Sequence, residues 1–289
     1  MPARSSPTVK RRRLAGELRS RREAASLTID EVADRLEWST AKISRIENAR
    51  VTVLPRDVKF LLKTYGLSED DEVWDVLLTL ARESRQRGWW QQYGEAVPDW
   101  FEVYVGLEAE AADIFGYDAE FVPGILQTEE YAWAVHQAQM IGATNEEINR
   151  LVKVRMTRQE LLTSDDAPQL WLILNEAVIR RVVGNPTVMH EQLERLIQAS
   201  RLRNLTLQII PFGAGAHAAM DGSFSLLAFP EPTDPNIVYI EYHTGALYLE
   251  KTAEVQRYRV MLDHLRASAL PVDASRSLMA RVAEELAMT

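Results

Sequence analysis

The chain has no cysteine among its 289 residues. Disulfides and thiolate metal sites are therefore excluded, and a reducing cytosol suits the composition. No apolar run reaches the ~18 residues that a membrane-spanning helix needs. The amino terminus is basic but lacks the apolar stretch of a secretory signal. Histidines stand at positions 136, 190, 217, 243 and 264, with no HxxxH or HxH pair, so spacing defines no metal site. There is no internal repeat and no low-complexity tract. The expectation is a cytoplasmic protein without a membrane segment, metal or cofactor.

What is present divides unevenly. The length suits about two domains, and apolar residues at 46% can supply ordinary cores. The net charge of −9 would disfavour DNA if it were uniform. Residues 1–50, however, hold 12 Lys/Arg against 7 Asp/Glu, a net +5, and residues 51–289 hold 21 against 35, a net −14. Local field governs phosphate contact, so a basic head on an acidic body can still bind nucleic acid.

The stretch TIDEVADRLEWSTAKISRIEN, Thr28 to Asn48, has the pattern of a helix-turn-helix. Thr28 and Glu31 form a capping-box pattern. Val32, Ala33 and Leu36 then share one helical face. After a break at Glu37-Trp38, Ser39 can cap a second helix whose apolar positions are Ile43 and Ile46. A small residue at Ala33 lets two helices cross closely, as that motif requires. Around it, helices are expected from about Arg11 to Ala25, from Arg56 to Tyr65 between Pro55 and Gly66, and from Ser68 through Arg82. Arg82, Arg85 and Arg87 at the end of the last suit the helix dipole. Residues 1–10, with Pro2 and Pro7, read as a disordered arm that ends in basic residues. Such an arm can follow a phosphate backbone or simply be solvated.

Residues 11–66 resemble the DNA-binding domain of the lambda-repressor-like, or XRE, transcriptional regulators. The likeness rests on REAASLTIDEVADRL followed by STAKISRIENAR. The helices together read as one five-helix all-α domain over 11–87, and the likeness implies that Thr40, Ala41, Ser44 and Arg45 read bases while Lys42, Asn48 and Arg50 meet phosphates. Glu47 would instead partner a nearby arginine. Two positions depart from the family pattern. Ile29 stands where Gln often anchors a phosphate, and Glu37 stands at a turn position that is often Gly. The second departure predicts an altered turn, since a left-handed non-glycine residue costs about 1 kcal/mol or more.

From 88 to 289 the pattern predicts an α+β domain with a small sheet. Trp89, Trp90, Tyr93, Trp100, Phe101 and Tyr104 crowd into one short stretch. Acidic surroundings favour packing at the domain junction over stacking on bases. Strand-like runs lie at Gln169–Leu174, Leu205–Ile210, Ser223–Phe229, Ile237–Tyr242 and Ala246–Leu249. Helices are expected at about 144–163, Glu176–Val183, Thr187–Ser200, Ala253–Ala267 and Asp273–Ala287, and Thr128 caps another.

With GWW and VPGILQT, this region resembles an actinomycete group of XRE regulators that includes WhiJ-like and antitoxin-like proteins. That resemblance implies a C-terminal domain for regulation, dimerisation and the binding of a small partner protein, often encoded nearby.

The loop PFGAGAHAAMDG holds Gly213, Gly215, His217 and Asp221. It reads as a flexible connection between strands that can border a partner interface or ligand pocket, to which Trp89, Trp90, His217 and Asp221 are the candidate contributors. Glu241 and His243 are expected on one face of a strand. No catalytic set is assigned. The expected function is a sequence-specific regulator of double-stranded DNA, a homodimeric repressor with a small protein partner. The alternatives are a small-molecule sensor, an antitoxin-like protein that chiefly sequesters its partner, and an enzyme with a DNA-binding head.

Overall fold

The computed structural model describes residues 7–86, 88, 90, 97–231 and 234–288. Residues 1–6 of the expected arm, Arg87, Trp89 and Tyr93 lie outside the described residues. The chain divides into two compact units, Met1–Gln91 and Gln92–Thr289, whereas the sequence pattern suggested a division at 87/88.

The first unit contains α1 (Pro7–Ala24), α2 (Ile29–Leu36), α3 (Thr40–Glu47), α4 (Pro55–Thr64) and α5 (Glu72–Glu83). The expected arm over 1–10 is corrected at 7–10, which are helical. Pro7 opens α1, where its missing N–H has no helical partner to lose. Thr8 and Val9 are buried, and Lys10 forms an ion pair with Glu83 of α5. The last helix starts at Glu72 rather than Ser68, because Asp71 accepts the Ser68 N–H at 2.6 Å and makes a turn before the helix. Leu14, Leu18, Val32, Ala33, Ile43, Ile46, Val58, Leu61 and Leu77 meet in one core. Each apolar stripe is buried against the others, and this burial, more than propensity, holds helices of eight residues such as α2 and α3.

Four helices end alike, in a Schellman motif with a left-handed residue just past the end. These residues are Ser26, Glu37, Ala49 and Gly66, at φ of 58°, 54°, 54° and 87°. After α2, the Trp38 N–H donates to Ala33 O at 2.9 Å and the Glu37 N–H to Asp34 O at 3.3 Å. The expected altered turn at Glu37 is therefore corrected. The left-handed geometry is retained without glycine, and the closing hydrogen bonds with the packing of Leu36 and Trp38 on the core offset the strain.

The second unit runs α6 (Asp99–Glu110), β1 (Asp113–Asp118), α7 (Glu129–Gln139), α8 (Asn145–Arg158), β2 (Gln169–Asn175), α9 (Glu176–Arg180), α10 (Pro186–Ala199), β3 (Leu205–Ile210), β4 (Phe224–Ala228), β5 (Ile237–Tyr242), β6 (Gly245–Leu249), α11 (Thr252–Ser268) and α12 (Val272–Ala287). The six strands form one mixed sheet in the order β3-β2-β1-β4-β5-β6. β1, β2 and β3 are parallel, and β4 to β6 continue antiparallel from β1.

One face of the sheet, with Tyr117, Ile173, Phe224, Leu226 and Val238, buries Val255, Leu262 and Leu265 of α11. On the other, Tyr104 of α6 stacks near Tyr239 at 4.2 Å between centroids. Of the aromatic stretch, Trp100, Phe101 and Tyr104 belong to one helix of the second unit and pack against one another there. Arg158 of α8 holds Glu108 of α6 in a buried bidentate pair at 2.9 and 2.8 Å, with Phe101 and Tyr104 beside the guanidinium.

Edge strand β3 is closed by the chain around α12. Ser275 Oγ accepts the Ile209 N–H, and the Leu270 N–H donates to Ile209 O. An open edge there would invite pairing with another chain. The VPGILQT stretch is a brace. Gln127 donates to Val122 O, Gln159 to Gln127 O, and Gln192 to Leu126 O, while Arg155 donates to Gln127 Oε1 at 2.6 Å.

Candidate nucleic-acid interface

The helix-turn-helix is built from two caps and a buried ion pair. Thr28 Oγ1 accepts the Glu31 N–H at 3.2 Å, and the Glu31 carboxylate accepts the Thr28 N–H at 2.8 Å. The Thr28 N–H, and then the Thr28 hydroxyl at 2.9 Å, donate to the Glu31 carboxylate and hold it below its usual range. Ser39 Oγ accepts the Lys42 N–H at 3.2 Å and starts α3.

At the far end of α3, Glu47 meets Arg22 of α1 through N–O contacts of 2.8, 3.1 and 2.8 Å. Arg22 also donates to Leu27 O at 2.8 Å, and the Tyr65 hydroxyl donates to Glu47 at 3.4 Å. The hydrogen bond to Glu47 raises the Arg22 pKa, and burial, reinforced by Glu47, raises that of Tyr65. Glu47 is therefore a structural partner for an arginine, as expected from its sign.

With Ile43, Ile46 and Glu47 buried, the opposite face of α3 is fixed by helical geometry. Thr40, Ala41 and Arg45 are exposed on it and Ser44 is half-buried. These four positions fall at i, i+1, i+4 and i+5, so the expected base readers share one surface. Arg45 forms no ion pair among the described residues, which leaves its fork open to an acceptor such as guanine.

The three expected phosphate residues differ from one another. Arg50 is exposed. Asn48 donates its side-chain amide to Ser44 O at 2.7 Å, within its own helix end. Lys42 is held locally, with its Nζ 3.2 Å from the Trp38 ring centroid and 3.1 Å from an Asp57 carboxylate oxygen. Ile29 packs against the core. Sequence pattern did not single out Asp57, because its partner lies one helix away.

In the second unit, the loop after β3 brings His217 over the carboxyl ends of β1 and β2. The Ala219 N–H donates to His217 Nδ1 at 3.2 Å, so in the neutral ring Nε2 carries the hydrogen. Nε2 lies 3.2 Å from the Tyr117 hydroxyl, to which Asn175 also donates at 3.3 Å. Asp221 is exposed, and the hydrogen bonds of His217 go to Tyr117, Asn175 and Ala219 instead. Trp90 is buried, so it does not line an open surface. His243 lies in the turn after β5, not on a strand face with Glu241, whose carboxylate accepts the Tyr239 hydroxyl at 2.7 Å.

Among the described residues no three His, Asp or Glu side chains converge as a metal site requires. No described helix is long and apolar enough to cross a membrane.

Comparison with known proteins agrees with this division. Residues 13–74 match the model of a helix-turn-helix domain, the hallmark of DNA-binding regulators. No curated protein and no solved structure matches the chain. A second family model spans residues 101–281, more than half of the chain, and the protein belongs to that family, described as Domain of unknown function (DUF5753).

Proposed function

We propose that the protein is a sequence-specific transcriptional regulator, a homodimeric repressor of the WhiJ-like, antitoxin-like group of XRE regulators. The observation that carries the DNA-binding part is the solvent face of α3. Thr40, Ala41, Ser44 and Arg45 lie together there, backed by Ile43, Ile46 and the Arg22–Glu47 pair. A helix presented in this way fits the major groove with few base contacts. Two copies reading two half-sites supply the specificity that one short helix lacks. A DNA-binding role also implies the cytoplasm.

On this reading the DUF5753 unit binds a small protein partner and performs no catalysis. A partner that prefers one state of the regulator then shifts its DNA affinity by linkage. Selection from randomised duplexes with the wild type and with Arg45→Ala tests the base-reading assignment. The variant is expected to lose preference at one base position of each half-site, by about 1–3 kcal/mol. An identical selected sequence from both proteins would remove Arg45 as a base reader.

A second reading has its own support. His217, Tyr117 and Asn175 converge at the carboxyl ends of two parallel strands, where open sheets commonly bind small molecules. The unit would then sense a small ligand in place of a protein.

A further inference from the structure

Lys42 is the one expected phosphate contact whose charge already has an anionic partner. Its ammonium group sits between the Trp38 ring, 3.2 Å from the centroid, and an oxygen of Asp57, 3.1 Å away. The Asp57 side chain is 14% exposed and that of Lys42 35%. This pair is less screened than an open surface bridge. Asp57 stands in the first turn of α4, where the helix dipole favours a carboxylate. Its other oxygen lies 3.5 Å from Arg56, whose side chain is 76% exposed. Arg56 therefore stays beside the carboxylate even if Lys42 departs.

We infer that Asp57 acts as an internal stand-in for a DNA phosphate: it occupies Lys42 on the DNA-binding unit and lowers affinity for duplexes of any sequence. The inference rests on the DNA-binding reading. A phosphate can claim Lys42 only by displacing Asp57, which leaves a second anion beside the backbone. Lys42 and Asp57 together carry no net charge, so docking the pair releases no counterion. A regulator with weak sequence-independent binding spends less of its population on competing genomic DNA. Asp57 would then serve discrimination without touching a base.

The test uses the full-length protein and a 30-base-pair duplex of random sequence, so no operator is required. Binding is measured between 50 and 200 mM salt for the wild type, Asp57→Asn and Asp57→Asn/Lys42→Met. Asp57→Asn keeps the side-chain shape and removes the charge. It is expected to steepen the slope of log K against log salt by about 0.9, the value of one phosphate contact. With equal affinity at 1 M salt, the same relation gives about eightfold tighter binding at 0.1 M salt. The double variant is expected to return to the wild-type slope, since the gain requires Lys42.

An unchanged slope in a folded Asp57→Asn protein that still binds DNA would overturn the inference alone. Weaker binding without steepening would also overturn it, because Asp57 would then position Lys42 rather than occupy it. A double variant as steep as Asp57→Asn would assign the effect elsewhere. Wild-type protein that binds no duplex at any salt would overturn the DNA-binding reading, and the inference with it.

Discussion

Glu47→Ala removes one side of the ion pair that ties α3 to α1. The side chains of Arg22 and Glu47 are 10% and 3% exposed, so solvent screens them little. Glu47 accepts three N–H contacts from Arg22 and one hydroxyl from Tyr65. After truncation the guanidinium keeps its bond to Leu27 O and a longer, 3.7 Å contact with the exposed Glu23 carboxylate, and it faces a small cavity. Breaking one side of a buried pair costs about 3–5 kcal/mol. That is a large share of the roughly 5–10 kcal/mol that holds a domain of this size.

Amide hydrogen exchange of the full chain reads this locally. Peptides from α1 and α3 are expected to lose about 150- to 4000-fold in protection, the same free energy at 1.4 kcal/mol per tenfold. Peptides from the sheet of the second unit act as the reference and stay unchanged. Replacing both partners, as Arg22→Met with Glu47→Leu, is expected to recover most of the loss, because no charge remains buried. A change below tenfold in Glu47→Ala would refute the account, since the pair would then behave like an exposed bridge.

Other consequences follow from backbone strain and titration. Glu37→Gly relieves a left-handed residue but frees the unfolded chain, for a net gain of about 0.5–1 kcal/mol. The first unit should melt roughly 4 °C higher, and no rise would mean that the strain is already relaxed. In the second unit two groups titrate with opposite sign. Burial, with Arg155 nearby, holds His136 down to about 3 against an ordinary 6.5. Its unfolded form takes the proton first, so its contribution is full above pH 6.5 and is lost as pH falls toward 3. Burial, with Glu241 nearby, lifts Asp118 to about 7 from 3.8. Its folded form takes the proton first, so its contribution is full below pH 3.8 and is lost as pH rises through 7. The two nearly cancel between them. Asp118→Asn is expected to expose a decline on acidification of about 1.4 kcal/mol per pH unit, and His136→Gln the reverse, in urea midpoints across that range. Equal pH slopes in the wild type and both variants would remove these assignments.

The first unit was legible because its signals are local. Thr28 with Glu31, Ser39, Pro55 and Gly66 act within one turn of helix, and each stands where the spacing indicated. The misreadings there were also local. Pro7 looked like a mark of disorder but opens a helix, and Glu37 looked unfit for a turn that it nevertheless makes. In the second unit five strands were visible as β-branched or apolar runs. The central one, β1, was not, because Asp-Ile-Phe-Gly-Tyr-Asp has weak strand propensity and is held by pairing on both sides. Such pairing is invisible to any short window. The same limit applies to the candidate sites. Lys42 stands on the helix that the spacing predicts, but its capture by Trp38 and Asp57 depends on how α4 packs. His217 was singled out with Asp221, yet its partners Tyr117 and Asn175 come from strands 100 and 42 residues away.

The central claim is that α3 is the surface that meets DNA. Hydrogen exchange of the full-length protein with and without a duplex selected from a random pool tests this directly. The account predicts new protection in peptides covering Thr28 to Arg50, strongest over α3, and lost in Arg45→Ala at the same duplex concentration. Protection that appears only in the second unit, or α3 exchange that DNA leaves unchanged while binding is saturated, would contradict it.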